Sequence, residues 1–233
     1  MLDIHRHWHF SGEGPVPCSP DTGSRAVIQL TPEQAKLAED LPGQMFSVGL
    51  HPWDIPADSD AMRRQMAAVA QTARLPNVRL IGEAGLDSLK KDRMPEAAYD
   101  RQAAVLAQHA DIAEKVRKPL LLHIVRRYGD VLQIYRMRRP TVPWIVHGFG
   151  RGPELMRQLT EAGLYVSFGA ALLDRPQTAE AWAEADIRRV FLETDDRDVD
   201  IPDIYEAAAR IRHTTVAELQ RLIDLNFAGL YDM

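Results

Sequence analysis

Short apolar runs recur along the chain, each bounded by turn-forming residues, and segments with helical periodicity separate them. The runs lack strict alternation of polar and apolar positions, which is typical of parallel strands that are buried on both faces. The pattern predicts eight strands: LDIHRH (2–7), RAVIQL (25–30), MFSVGL (45–50), VRLIGE (78–83), PLLLHI (119–124), PWIVHG (143–148), LYVSFG (164–169) and RVFLETD (189–195).

Helical patterns lie between these runs. Thr31, Pro32 and Glu33 form a typical helix start, with proline in the first helical position and an acid in the first turn. Segments with apolar positions at helical spacing predict further helices. These are 58–74, 95–116, 128–138, 153–162, 176–185 and 203–226, the last with a candidate break near His213.

Eight strands that alternate with helices predict an α/β fold, the (β/α)8 TIM barrel, formed as a single domain by residues 1–233. An open, doubly wound sheet is the alternative, but no glycine-rich phosphate loop follows an early strand. One connection is unusual, because residues 11–24, SGEGPVPCSPDTGS, are too rich in Gly, Pro and Ser for a helix. We therefore expect a loop in place of the first crossover helix, serving either as an active-site cover or as an irregular connection.

Composition narrows the class of protein. The chain has 233 residues with a formal net charge of -5, which gives no support to a protein that coats duplex nucleic acid through a global basic field. A single cysteine, Cys18, excludes an internal disulfide and fits a reducing compartment. Neither a leader pattern nor an apolar run of membrane-spanning length is present. We expect a cytoplasmic protein without a membrane partner, acting as a monomer.

The first candidate for chemistry is the N-terminal stretch MLDIHRHWHF. His5 and His7 are two positions apart, so on a strand they point to the same side. A pair of imidazoles with an acidic neighbour, here Asp3, is a common beginning of a metal site. A solvated tail or a remnant of a purification tag is the alternative. The interleaved Leu2 and Ile4 argue for a strand and against both.

Polar residues end or follow other predicted strands as well: His51, Glu83, His123, His147 and Asp195. Each alone is more often a satisfied buried group than a ligand. In a barrel, however, the carboxyl ends of the strands meet at one open mouth. Imidazoles bind zinc and similar ions, and carboxylates also accept harder ions. Even four of these five histidines, together with Glu83 and Asp195, are too many ligands for one tetrahedral site. Such a set suits two divalent metals that share Glu83.

Six motifs carry a resemblance to a known family: DIHRH, GLHPW (49–53), IGEAGLD (81–87), HGFG (147–150), VSFG (166–169) and LETD (192–195). In this order they resemble the motifs of the TatD family of metal-dependent hydrolases, from the first strand to the last. Asn226, in the final predicted helix, also falls where family members place an asparagine. The resemblance implies a TIM barrel with a two-metal centre (Zn, Mg or Mn) that hydrolyses phosphodiesters, usually as a deoxyribonuclease that trims DNA ends.

The resemblance also implies a role for each residue. His5 and His7 bind the first metal, and His123 and His147 bind the second. Glu83 bridges the two metals, while Asp195 holds the first and orients the attacking water, which makes Glu83 and Asp195 the candidate catalytic residues. His51 lies near the substrate phosphate, and Arg126 is a second candidate for substrate contact. His9 is an extra surface or supporting residue.

Two stretches depart from the family pattern. From His123 the run is HIVRR, with the arginine one position later than in the family pattern. The motif ETD is followed by DRDVDI, where Asp196 and Asp198 disfavour binding of a polyanionic nucleic-acid strand. Cationic residues on the loops predicted at the carboxyl ends of the strands favour binding of such a nucleic-acid strand: Lys90, Lys91, Arg93, Arg126, Arg127 and Arg151.

Two alternatives stay open at this point. One is an amidohydrolase-like enzyme acting on a small lactone, amide or phosphoester. A carboxylated lysine at the end of the fourth strand would favour that class, and this chain has Glu83 there. The other is a metal-binding barrel without catalysis, which the retention of all six candidate ligands disfavours.

Overall fold

The computed structural model describes residues 1–7, 10–11, 14–15, 24–88 and 96–232. The strands are β1 (Leu2–Arg6), β2 (Phe10–Ser11), β3 (Gly14–Pro15), β4 (Arg25–Leu30), β5 (Met45–Val48), β6 (Val78–Asp87), β7 (Leu120–Val125), β8 (Trp144–Val146), β9 (Tyr165–Phe168) and β10 (Val190–Leu192). The helices are α1 (Leu37–Asp40), α2 (Ser59–Thr72), α3 (Glu96–Val116), α4 (Tyr128–Arg138), α5 (Pro153–Ala162), α6 (Ala171–Asp174), α7 (Pro176–Glu184), α8 (Ile201–Ile211) and α9 (Val216–Gly229).

Backbone contacts divide the chain into two compact units. The first contains Met1–Ile28 and Ile145–Asp232, and the second contains Gln29–Trp144. The single domain predicted from the sequence stays a prediction. Among the described residues, no helix is both long enough and apolar enough to cross a membrane.

The first unit contains parallel strands whose pairing brings the first strand of the chain next to the last. β1 pairs with β4, β8 with β9, and β9 with β10, all in parallel. A parallel bridge between Arg6 and Asp195 then places the end of β1 beside the residues that follow β10. Pairing of the first strand with the last is the arrangement that a (β/α)8 barrel requires. Asn226 on α9 donates hydrogen bonds to the carbonyls of Ile187 and Val190 and so fixes the start of β10.

The second unit holds three parallel strands, β5, β6 and β7, with helices α2, α3 and α4 after them. β6 is ten residues long, four more than predicted, so Glu83 lies inside the strand and not at its end. Gly85 explains how close β6 and β7 lie, because a Cβ there would come within 1.8 Å of the His123 carbonyl oxygen. Residues 120–122 of β7 are fully buried.

Most predicted elements are present, with local corrections. β5, β8 and β10 end before His51, His147 and Asp195, which therefore lie in the loops that follow the strands. The helix predicted at Thr31 is only a 3-10 turn, Pro32–Gln34, followed by the four-residue α1.

Other corrections concern the last third of the chain and the first connection. The break near His213 separates α8 from α9, and α6 was not predicted at all. In the connection predicted as a loop, β2 pairs with β3 in an antiparallel ladder. His9, Cys18, Lys90, Lys91 and Arg93 lie outside the described residues.

Candidate metal centre

The described residues form one cluster of metal-ligand side chains in each unit. In the first unit, His5, His147 and Asp195 offer ligand atoms that all lie within 4.8 Å of one another. His7 joins them, since its Nε2 lies 3.4 Å from Asp195 Oδ1. In the second unit, His51, Glu83 and His123 offer ligand atoms that likewise lie within 4.8 Å of one another. We call these the first and the second cluster.

Backbone hydrogen bonds across the β1 and β10 ends position the first cluster. The Asp195 amide donates to the His5 carbonyl at 3.0 Å, and the His7 amide donates to the Asp195 carbonyl at 3.1 Å. Asp195 has a positive φ of 58°, a conformation that an L-residue adopts at a cost and that is common at functional sites. The carboxylate is thereby held between two histidines, with Oδ1 3.4 Å from Nε2 of each.

Asp3 supports this arrangement from inside the unit. Its carboxylate accepts hydrogen bonds from the amide and the hydroxyl of Thr194, at 3.0 and 2.7 Å, directly before Asp195. Burial raises the pKa of Asp3 to about 7, although the Thr194 hydrogen bonds oppose the shift. The acidic neighbour of His5 and His7 therefore orients the Asp195 turn and is not a member of the ligand cluster.

Glu193 is a second buried acid beside this cluster, and the sequence reasoning missed it. Its Oε1 accepts a hydrogen bond from the Gly148 amide at 2.5 Å and lies 3.8 Å from Nδ1 of His147. The side chain is fully buried. Its Oε2 has no hydrogen-bond partner among the described residues. A buried carboxylate oxygen in that state favours a cation nearby, because desolvated negative charge is costly without a partner.

In the second cluster, His123 lies between two carboxylates. Its Nδ1 is 2.8 Å from Glu83 Oε1, and its Nε2 is 2.8 Å from Asp87 Oδ2. A metal-binding imidazole commonly uses one nitrogen for the metal and donates the other N–H to a carboxylate. Glu83 on the ligand side and the fully buried Asp87 behind His123 fit this division. Asp87 was also missed, although it ends the motif IGEAGLD.

A chain of hydrogen bonds holds Glu83. Its amide donates to Oε1 of Gln29 at 2.9 Å, and the same oxygen accepts from the Ser47 hydroxyl at 2.7 Å. Gln29, Ser47 and Glu83 are all buried. The carboxylate thus projects from a rigid strand, which suits a metal ligand.

The hydrogen bond that His51 accepts indicates which of its ring nitrogens carries the proton. Its Nδ1 accepts a hydrogen bond from the Trp53 amide at 3.2 Å. A neutral imidazole that accepts at Nδ1 carries its proton on Nε2, so that nitrogen is a donor and not a metal ligand. His51 Nε2 lies 3.6 Å from Glu83 Oε1. The geometry therefore favours the predicted contact with substrate for His51.

The two neighbouring arginines of the HIVRR run are in different situations. Arg126 is exposed and has a positive φ of 60° directly after β7. Arg127 is engaged, because its guanidinium donates to Ser88 and Asp130 and lies 4.4 Å from the centre of the Tyr99 ring. Arg126 is thus the one of the pair whose side chain is exposed to solvent.

These residues fit divalent metals. Imidazole and carboxylate donors are close together, and both clusters contain at least one buried member. Such donor sets suit zinc, manganese and similar ions. A parallel α/β fold with such donors within its strands or just after them is the arrangement of a metal-dependent hydrolase.

Comparison with known proteins identifies the family. The model of the family described as TatD related DNase matches residues 18–232, and the chain belongs to this family of metal-dependent hydrolases. It is 25% identical over 211 residues to the uncharacterized metal-dependent hydrolase TatD of Mycobacterium tuberculosis, covering 84% of this chain and 79% of that protein. It is 27% identical over 205 residues to the uncharacterized metal-dependent hydrolase YcfH of Escherichia coli K12, covering 80% and 73%.

Solved structures confirm the fold. The chain is similar to YJJV, a TatD homologue from Escherichia coli, with a TM-score of 0.78 and 20% identity over 99% of this chain and 98% of that one. It is also similar to a hydrolase of the TatD family from Entamoeba histolytica, with a TM-score of 0.77 and 15% identity, covering 99% and 97%. The fold class predicted from the sequence, a (β/α)8 TIM barrel, is confirmed.

Proposed function

We propose that this hydrolase cleaves phosphodiester bonds, with DNA as the substrate class, and that it uses two divalent metal ions. The observation that carries the proposal is the presence of an imidazole–carboxylate cluster in each unit. It is supported by membership of the family described as TatD related DNase. Two divalent ions would supply an activated water and neutralise charge on the phosphate. We propose the cytoplasm as the compartment and the monomer as the acting form.

The ligand assignment follows the family resemblance. His5, His7 and Asp195 would hold the first ion, His123 and His147 the second, and Glu83 would bridge them. Buried carboxylates beside the histidines support this assignment, because such groups orient metal-binding imidazoles. Asp87 has this position at His123, and Glu193 lies near His147.

The chain's own groups would perform the other steps. Asp195 would orient the attacking water and accept its proton, since its carboxylate is partly exposed and rigidly held. His51 would donate its Nε2–H to a non-bridging phosphate oxygen, where negative charge develops. Arg126 would contact a phosphate further along the nucleic-acid strand, because it is exposed directly after β7, the strand that carries His123.

A substrate panel tests this proposal. Chelator-treated protein is supplied with Zn, Mg or Mn and assayed on single-stranded DNA, duplex DNA, RNA and small phosphodiesters. We expect metal-dependent hydrolysis of DNA, with a Glu83→Ala variant inactive under the same conditions. Turnover of lactones or amides without phosphodiester cleavage would instead support the amidohydrolase-like alternative. Metal binding without any turnover would support a non-catalytic barrel.

A further inference from the structure

The loop after β5 holds a large aromatic side chain at the second cluster. Trp53 is 45% exposed, whereas Trp144 and Trp182 are fully buried. Its indole lies 5.3 Å from the His51 ring and 6.3 Å from the His123 ring, measured between ring centres. Exposure of so large an apolar surface is unfavourable in water, which makes its position beside His51 and the proposed ligand His123 informative.

The backbone around Trp53 is anchored on both sides. Leu50 belongs to a buried apolar cluster with Met66 and Val105, and Ile55 packs against the same cluster. The Trp53 amide donates to His51, and Gln102 donates to the Pro52 carbonyl. The indole is therefore held at the site by a fixed loop, and its exposure is a property of the fold.

The neighbouring groups define what the indole can contact. His51 and His123 are each partly accessible, with side-chain exposures of 19% and 17%, so a substrate group can reach both. A phosphate at these histidines would place the rest of its nucleotide beside the indole. Aromatic side chains bind nucleobases by stacking, which needs no particular base.

We propose that Trp53 stacks on the nucleobase next to the scissile phosphate and so selects a base-bearing nucleotide at that position. This inference rests on the proposed phosphodiesterase function and names a specificity residue for it. The contact of His51 with this loop uses the backbone amide of Trp53, so side-chain substitutions at position 53 leave that hydrogen bond in place. The stacking contribution can thus be removed without removing the cluster.

The first experiment measures binding of the product-like probe dAMP to the metal-loaded protein by calorimetry, with deoxyribose 5-phosphate as the base-free probe. Trp53→Ala should weaken dAMP binding roughly fivefold to a hundredfold, as expected for loss of one stacked base. Trp53→Phe should retain most of the affinity, and Trp53→Leu, which is apolar without an aromatic ring, should lose it. Affinity for deoxyribose 5-phosphate should be the same in all four proteins.

A matched control is Leu225→Ala, which removes another exposed apolar side chain, 63% exposed, from α9. It should bind dAMP like the parent, and metal content should be equal in every variant. The inference is overturned if the parent does not bind dAMP, or if Trp53→Ala changes the affinity for both probes equally or for neither.

The second experiment measures kcat/KM on an oligonucleotide with a natural or an abasic terminal nucleotide. Trp53→Ala should reduce kcat/KM on the natural end and leave the abasic end unchanged. Equal losses on both ends would overturn the inference, while the proposed function would stand. Trp53-dependent dAMP binding without hydrolysis of any phosphodiester would instead retain the stacking role and overturn the proposed function.

Discussion

A histidine outside the metal clusters makes the stability of this protein depend on pH. His109 lies on α3 and is completely buried. Its Nε2 accepts a hydrogen bond from the Leu50 amide at 3.1 Å, so its proton is on Nδ1, which donates to the Val105 carbonyl at 2.8 Å. Protonation would remove the acceptor for Leu50 and bury a positive charge. Burial accordingly lowers the pKa of His109 to about 4.

The size of the effect follows from this pKa. The unfolded chain has a histidine pKa of 6.5, so the folded value of about 4 is lower by roughly 2.5 units. Between these values the unfolded state binds a proton and the folded state does not, so stability is lost as the pH falls. At about 1.36 kcal/mol per unit, the free energy of unfolding falls by about 3 kcal/mol, with about 2 kcal/mol of that lost by pH 5.

The assay compares the parent with His109→Gln, because a glutamine amide can also accept from Leu50 and donate to Val105. Unfolding in urea at a series of pH values between 7.5 and 4 gives the free energy for each protein. The difference between the two proteins should change by about 3 kcal/mol over this range, since contributions from the other histidines cancel.

Leu225→Ala is the control, since it removes an exposed side chain that carries no titratable group, and it should leave the pH dependence of the parent unchanged. If His109→Gln showed the same pH dependence as the parent, the assigned tautomer and burial of His109 would be wrong.

Three further predictions concern the metal clusters. Elemental analysis after purification without chelator should find up to two divalent ions per chain in the parent and fewer in Glu83→Ala, which lacks the proposed bridge. No metal in the parent under any condition would refute the metal centre. Asp87→Asn should weaken metal binding about tenfold to a hundredfold in a competition titration, because His123 loses the carboxylate that orients it, and an unchanged affinity would remove Asp87 from this role. Asp195→Asn should lower kcat roughly a hundredfold or more with little change in KM, whereas the adjacent exposed Asp196→Asn should not; a destabilised but active Asp195→Asn would make Asp195 a merely structural acid.

The positions of the chemistry could be read from the sequence because the signal is local. A polar residue that directly follows a buried apolar run marks the carboxyl end of a strand, and His147 and Asp195 both lie just past such ends. His5 and His7 needed only the two-residue periodicity of a strand. These predictions require no knowledge of which strands are neighbours.

Other features depend on contacts between distant segments and could not be read in this way. The apolar run of β6 ends at Glu83, and the small residues Ala84 and Gly85 have low strand propensity, so the strand was predicted to stop four residues early. It continues because Gly85 allows β7 to approach to within a distance that no side chain would permit. That extension brings Asp87 to His123, and it is why Asp87 was missed.

Besides the proposed ligands, each cluster has acidic side chains beside it that are not assigned to a metal, and all of these are buried. Asp3 fixes Thr194 before Asp195, and Glu193 fixes Gly148 after His147. Asp87 contacts His123 from behind. A buried carboxylate is costly unless it is satisfied by donors or by a cation. Acids that accept hydrogen bonds from the residue next to a ligand, or that contact the ring of a ligand, orient the donor atoms before a metal binds. Such preorganisation lowers the cost of ordering the site when the metal binds.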